Sequence, residues 1–234
     1  VREVPVVELQ HGTIHACHPA YHYPDGLFKR LLPDYFLSYG PAWTKEVALP
    51  YREEQVGIVG YPYFERQLAA LRSREKKRQV VVISQGVVGE ALTRFAVGLR
   101  QHLPSEVPVV LKLHPGEYAG WQGAYPWLAG SGVDVLADDT GSLLVLQAES
   151  LVQVGCYSTA LYEGVALGCR TYCVDAPGVE VMGPLLGSGA AEQVTRPDQI
   201  ELLPVDTQDT AAFVASDWQR NMEQCFERFG LKDR

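Results

Sequence analysis

From residue 79 onward, apolar runs of strand length alternate with helical periodicities. QVVVIS (79–84) is a continuous apolar run, followed by Gln-Gly and a helical stretch over 89–102. VPVVLKL (107–113) predicts the next strand, and residues 132–136 a short one. Residues 142–150 read as a helix, LVQVG (151–155) as a strand and 158–167 as a helix that Gly168 would close. RTYCVD (170–175) is strand again. Strands this uniformly apolar are buried on both faces, and their alternation with helices predicts an α/β fold with a doubly wound parallel sheet.

Residues 1–72 are patterned differently. PVVEL (5–9), DYFLSYG (34–40) and QVGIVG (55–60) are strand candidates separated by loops rich in Pro, Tyr and His. They read as the last strands of a second, incomplete α/β domain. VREVPVVEL opens without an initiator methionine and is already strand-like, as a piece of a longer protein would be. GYPYFER (60–66) follows a strand and is expected to link the two sheets, with Tyr61 and Tyr63 in packing roles. The charge run RSREKKR leads into the second sheet. It reads as a solvated linker over 73–78, with contact to an anionic membrane surface as the alternative. Beyond residue 206 the chain reads as one or two helices to the terminus. There Phe213, Val214, Trp218, Met222, Cys225 and Phe226 form a packing stripe.

Composition narrows the function classes. The 234 residues carry 28 acidic against 20 basic side chains, a formal charge of −8, which disfavours a nucleic-acid binder. An anionic ligand would need local positive potential from helix N-termini or a few placed basic groups. Five scattered cysteines without a CxxC pair fit reduced thiols in a cytoplasmic protein. No apolar run approaches the roughly 20 residues that span a bilayer, which leaves only peripheral contact with an inner membrane open.

Chemistry concentrates at predicted strand ends, where open parallel sheets bind ligands. Three such ends are polar: Ser84-Gln85-Gly86, then Lys112-Leu113-His114-Pro115, then Gly155-Cys156-Tyr157-Ser158-Thr159. Ser158 or Thr159 would sit at a helix N-terminus suited to phosphate, and Glu163 further along could accept the two hydroxyls of a ribose. The plainer reading is an N-cap and a surface glutamate. Pro115 restricts His114 to extended geometry and so holds its imidazole in place. Strand alternation can aim Lys112 to the other side.

KLHPGE (112–117) and YSTALYEG (157–164) together resemble the donor-nucleotide domain of GT-B glycosyltransferases. The likeness covers residues 79–176. It is nearest to the bacterial polysialyltransferases, capsular Kdo transferases and CDP-glycerol glycerophosphotransferases, which build surface polymers. The Ser158, Glu163, Gly168 spacing also resembles the UDP-GlcNAc 2-epimerases, which share the fold. The resemblance implies a nucleotide-donor domain over 79–206, preceded by the end of an acceptor-side domain and followed by C-terminal helix over 207–234. It further implies a CMP-linked sugar donor (Kdo or sialic acid) and a cell-surface glycan or glycolipid acceptor. No separate cofactor and no metal ion would be needed. Ser84, Gln85, Gly86, Lys112, His114, Pro115, Ser158, Thr159 and Glu163 would hold the donor. Gln10-His11-Gly12, at the end of an early strand, resembles the His-Gly element of the glycerophosphotransferases, which makes His11 the candidate base and Glu8 a weaker one.

Rival readings are a UDP-sugar 2-epimerase-like enzyme and a non-catalytic sugar-nucleotide-binding module. A metal site is the rival for the amino-terminal stretch, because His11, His15, His18 and His22 are four of six histidines, at or near i, i+4 spacing. Gly12, Pro19 and Pro24 argue against the continuous helix this would need, and only Cys17 adds a further ligand type.

Overall fold

In the computed structural model, residues 4–23, 32–45, 47–139, 141–205 and 210–231 are described. The chain divides into two units, residues 1–67 with 209–234 and residues 68–208.

The first unit is built on a parallel sheet of β1 (Val7–Leu9), β2 (Tyr35–Ser38) and β3 (Val56–Ile58), in the order β1-β2-β3. GYPYFER opens helix α1 (Pro62–Arg72), within which the division between the units falls.

The second unit contains six parallel strands: β4 (Lys77–Ile83), β5 (Val109–Lys112), β6 (Asp134–Leu136), β7 (Ser150–Gly155), β8 (Arg170–Val174) and β9 (Glu192–Val194). Between them lie α2 (Gly89–His102), the short α3 (Trp121–Ala124), α4 (Leu143–Glu149), α5 (Thr159–Ala166) and the short α6 (Gly183–Gly187). The strand order is β6-β5-β4-β7-β8-β9. The chain therefore builds outward from β4 in one direction, then returns to β4 and builds in the other. This is the doubly wound order, and it splits the sheet between β4 and β7. Val80, Val81 and Val82 of β4 and Val152 and Val154 of β7 are wholly buried, which is why these runs carry no alternation.

The final helix, α7 (Trp218–Arg228), belongs to the first unit. Cys225 and Phe229 pack with Leu37 and Val59, flanked by Met222 and Phe226. Of the one or two helices expected over 207–234, the described residues hold Trp218–Arg228, and Phe213 and Val214 lie outside it. Ahead of it, the Ala215 N–H donates to the Tyr39 carbonyl, and the Phe213 carbonyl accepts from Trp43 Nε1. Asp217 takes a left-handed conformation (φ 64°) and caps Arg220 N–H, which sets the helix start. Glu65 accepts from the N–H groups of Asp217 and Trp218 at 2.9 and 3.2 Å.

The basic run before β4 is not simply solvated. Lys77 already lies in the strand. Arg74 and Lys77 both pair with Glu149, holding its carboxyl below its ordinary range, chiefly through the hydrogen bonds they donate. Lys76 Nζ donates to the carbonyls of Gln147 and Ser150, each at 2.9 Å. The run fastens β4 to the end of α4 and the start of β7. Among the described residues, no helix is long and apolar enough to cross a membrane.

A buried amide network positions α5. Gln147 Nε2 donates to Gln153 Oε1 and to the Ala160 carbonyl. Gln153 Nε2 donates to the Leu161 carbonyl and to Thr171 Oγ1, tying β7 and β8 to the first turn of α5. The helix can approach this closely because residue 164 is glycine: a Cβ there would lie 2.0 Å from Gln153 Oε1. We expect Gly164→Ala to destabilise the protein by ~1–3 kcal/mol through overpacking against a network that cannot yield. A lowered urea midpoint with unchanged slope checks this, and an unshifted midpoint contradicts it.

Candidate functional site

Because the second sheet is parallel throughout, the carboxyl ends of β5, β4 and β7 share one edge, side by side. The three polar strand ends therefore lie on one rim, at the point where the sheet splits. Their side chains do different jobs.

Gln85 ties the rim together. Its Nε2 donates to the Tyr157 carbonyl at 2.5 Å, and its Oε1 accepts from Tyr157 N–H at 2.9 Å. One side-chain amide thus joins the turn after β4 to the loop before α5. Ser84 is buried, and its Oγ donates to Glu117 Oε1 at 2.9 Å. Gly86 opens a one-turn 3₁₀ segment (Gly86–Val88) that runs into α2.

The HPGE turn is built around Glu117, which the sequence reading left without a role. This carboxylate is buried, accepts from Ser84 Oγ and from Tyr125 Oη (2.6 Å), and accepts from the His114 backbone N–H at 2.9 Å. A Cβ at residue 89 would lie 2.1 Å from Tyr125 Oη, so Gly89 admits the cluster. Pro115 begins the turn and His114 keeps the extended geometry (φ −66°, ψ 144°) that a residue before proline requires. The His114 ring is exposed, and its Nδ1 accepts from Gly116 N–H at 3.1 Å. That bond assigns the tautomer: neutral His114 carries its proton on Nε2 and offers an N–H donor.

Lys112 is directed elsewhere. It is buried, and its ammonium donates to Tyr118 Oη at 2.9 Å and to the Asp138 carbonyl beyond β6. The ammonium is held within the fold, as alternation along the strand allows.

Ser158 caps α5, its Oγ accepting from Ala160 N–H at 3.3 Å while retaining its own O–H as a donor. Thr159 is the first helical residue. Glu163 lies one turn further on the same face, and both are partly buried.

In the first unit, the Gln10-His11-Gly12 turn follows β1. Gln10 is wholly buried: its Nε2 donates to the Gly12 carbonyl at 2.7 Å, while Oε1 accepts from Ser38 Oγ and Tyr39 N–H at 2.9 Å each. His11 is exposed, with Nδ1 2.7 Å from Tyr21 Oη. Tyr51 Oη donates to Glu8 Oε2 at 3.3 Å. Tyr21 lies 10 residues from His11 and Tyr51 lies 43 from Glu8, and nothing in the local pattern marks either. Among the described residues, no three His, Cys, Asp or Glu side chains are grouped as a metal ion would need.

No protein-family model and no curated protein matches the chain. Solved structures do match. UDP-GlcNAc 2-epimerase from Methanocaldococcus jannaschii superposes with a TM-score of 0.51 at 11% identity, over 75% of this chain and 57% of that one. A second UDP-N-acetylglucosamine 2-epimerase gives 0.51 at 10% identity, over 86% of this chain and 59% of that one. The wall teichoic acid polymerase TagF gives 0.48 at 14% identity, over 86% and 53%. The fold is α/β of the GT-B type. The chain spans a little over half the length of the epimerases.

Tyr125 yields a test of the Glu117 cluster. Burial first, then the hydrogen bond to Glu117, pushes its phenol from 10.0 up to about 12. A raised pKa favours the protonated folded state, so this contribution is intact below pH 10 and is lost as pH rises through about 12. The buried thiols of Cys156 and Cys169, pushed up to about 11, also titrate there, so wild type loses stability from several groups. The comparison is therefore with Tyr125→Phe, whose urea midpoint should fall less steeply over this window. Parallel curves would contradict the assignment.

Proposed function

We propose that the second unit holds the nucleotide of an activated sugar at the rim formed by β5, β4 and β7. On this reading the protein transfers Kdo or a sialic acid from a CMP-linked donor to a surface glycan or glycolipid. The observation that carries it is one juxtaposition. His114, held as an N–H donor, and the amino end of α5 stand on strand ends at the split of a doubly wound sheet, with Gln85 joining two of those ends.

A phosphate at the start of α5 would meet the helix dipole, the Ser158 O–H and the Thr159 side chain. His114 Nε2–H would donate to the phosphate or the cytosine ring, and Glu163 would accept from ribose hydroxyls. Glu117, Ser84 and Gln85 would set the positions of these groups, with Gly86 and Pro115 shaping the turns. The acceptor hydroxyl gives its proton to a general base, and its oxygen bonds the anomeric carbon. The bond from that carbon to the phosphate oxygen breaks, its electron pair leaving with CMP. The departing charge would be met by preorganised donors, without metal or redox chemistry.

The second reading is a UDP-sugar 2-epimerase, favoured by the fold shared with the matching epimerases. A binding module without turnover is the third. Calorimetric titration of the full chain with CMP and with UDP separates them, combined with assays for release of CMP from a CMP-sugar and for epimer formation from UDP-GlcNAc. We expect CMP to bind more tightly than UDP. His114→Ala should weaken CMP binding at least tenfold, since a hydrogen bond to a charged group contributes ~1.5–3 kcal/mol. Unchanged affinity would remove His114 from the site, and tighter UDP binding with epimer formation would replace the transferase reading.

A further inference from the structure

We propose that residues 15–23 form an acid-labile clasp on the first unit, closed while His15, His18 and His22 are neutral and opened when they take up protons. This device is independent of the transferase reading above.

Three imidazoles in the segment share one task. His15 Nδ1 accepts from the Cys17 N–H at 3.3 Å, His18 Nδ1 from the Ala20 N–H at 3.2 Å, and His22 Nδ1 from the Ala48 N–H at 3.1 Å. A backbone N–H only donates, so each of these nitrogens presents a lone pair and each neutral ring carries its proton on Nε2. Protonation places a second ring N–H opposite the backbone donor. The bond is then lost rather than weakened.

Residues 15–23 belong to no helix or strand, so turns and these side chains hold the backbone. The His18 N–H donates to the His15 carbonyl at 2.9 Å, and the N–H groups of Tyr21 and His22 both donate to the His18 carbonyl at 3.0 Å. His22 fastens the segment to a residue 26 positions along. Tyr23 N–H donates to the Ala48 carbonyl at 2.8 Å, and the Ala48 N–H returns to the His22 ring. Tyr21 is wholly buried and packs on Phe36 of β2, with ring centroids 5.4 Å apart. Opening the clasp would therefore unseat a core side chain as well as break turns.

Charge acts in the same direction. The His15 and His18 rings meet edge to face with centroids 5.5 Å apart, so two imidazolium ions there would repel one another. Burial and then His11 lower the pKa of His18 from 6.5, against an opposing pull from Glu8 of β1. The fold thus favours its neutral form, and that stabilisation is complete above pH 6.5 and lost as pH falls through the lowered value. Among the described residues, the other titratable groups in or against the segment are Cys17, Tyr21, Tyr23 and Tyr51. These are a thiol and three phenols, types whose ordinary values lie above the histidine range.

The test uses the full chain labelled with ¹⁵N, its histidines assigned with single His→Asn variants. Long-range ¹H–¹⁵N correlation at about pH 7.5 should show His15, His18 and His22 protonated on Nε2. Amide exchange, corrected for intrinsic rate, should show the protection of Tyr23 and Ala48 falling about tenfold between roughly pH 7.5 and 5.5, the effect of losing one hydrogen bond. Val80, Val81 and Val82 of β4 should keep theirs. His22→Asn retains an acceptor that does not titrate, so protection of Ala48 should become independent of pH over this range. Replacing all three histidines by Asn should make the whole segment insensitive to acid. Where a variant does not fold, the wild-type tautomers and exchange decide. An Nδ1–H pattern for neutral His22, protection that does not fall in acid, or a fall that persists in His22→Asn overturns the proposal.

Discussion

The rim depends on a side-chain amide that behaves like one more strand residue. Backbone pairing between β4 and β7 ends at Val82 and Val154. Past that point the chain leaves the two strands on separate paths, and nothing in the ladder fixes one tip against the other. Gln85 supplies one donor and one acceptor to Tyr157, the same pair a neighbouring strand would have offered. From there the constraint spreads both ways. Ser158, next to Tyr157, caps α5, and Ser84, next to Gln85, reaches the carboxylate that shapes the HPGE turn.

The two histidines singled out in the sequence differ in what their Nδ1 atoms meet. His114 meets a backbone N–H, which can only donate, so its free nitrogen is protonated. His11 meets the Tyr21 hydroxyl at 2.7 Å, a group that can donate or accept. For His114 the tautomer follows from one hydrogen-bonding partner, a local property of one short turn.

Legibility followed the range of the interaction. The strands of the second sheet were readable because burial on both faces leaves continuous apolar runs, and Ser158 was readable as a cap because capping is local. The doubly wound fold followed from their alternation with helices. The function of Glu117 was not readable. A glutamate in a turn looks solvent-facing, and only Tyr125 and Ser84, 8 and 33 residues away, turn it inward. Tyr21 and Tyr51 escaped for the same reason. The C-terminal helix was drawn too long because apolar spacing persists through Phe213 and Val214. A left-handed Asp217 and an Ala215 N–H committed to the Tyr39 carbonyl stop the helix short of them. RSREKKR, read as a solvated linker, is largely exposed, and three of its charges also find partners within the second unit.

The treatment of Lys112 bears on how an acidic chain could recognise an anion. With a formal charge of −8, a flexible surface ammonium would be the simplest lure for a phosphate. The lysine nearest the HPGE turn is instead buried and bound to Tyr118 and the Asp138 carbonyl. What the rim offers in its place are neutral donors with fixed directions: an imidazole N–H, a hydroxyl, and the start of a helix. Such groups discriminate by geometry more than by charge, because each contributes only when an acceptor atom falls within hydrogen-bond distance and angle. They are also already oriented before charge develops, so little reorganisation would be needed as a phosphate departs. The buried networks around Gln153 and Glu117 are what make that orientation durable, and they tie the stability of the second unit to the geometry of its rim.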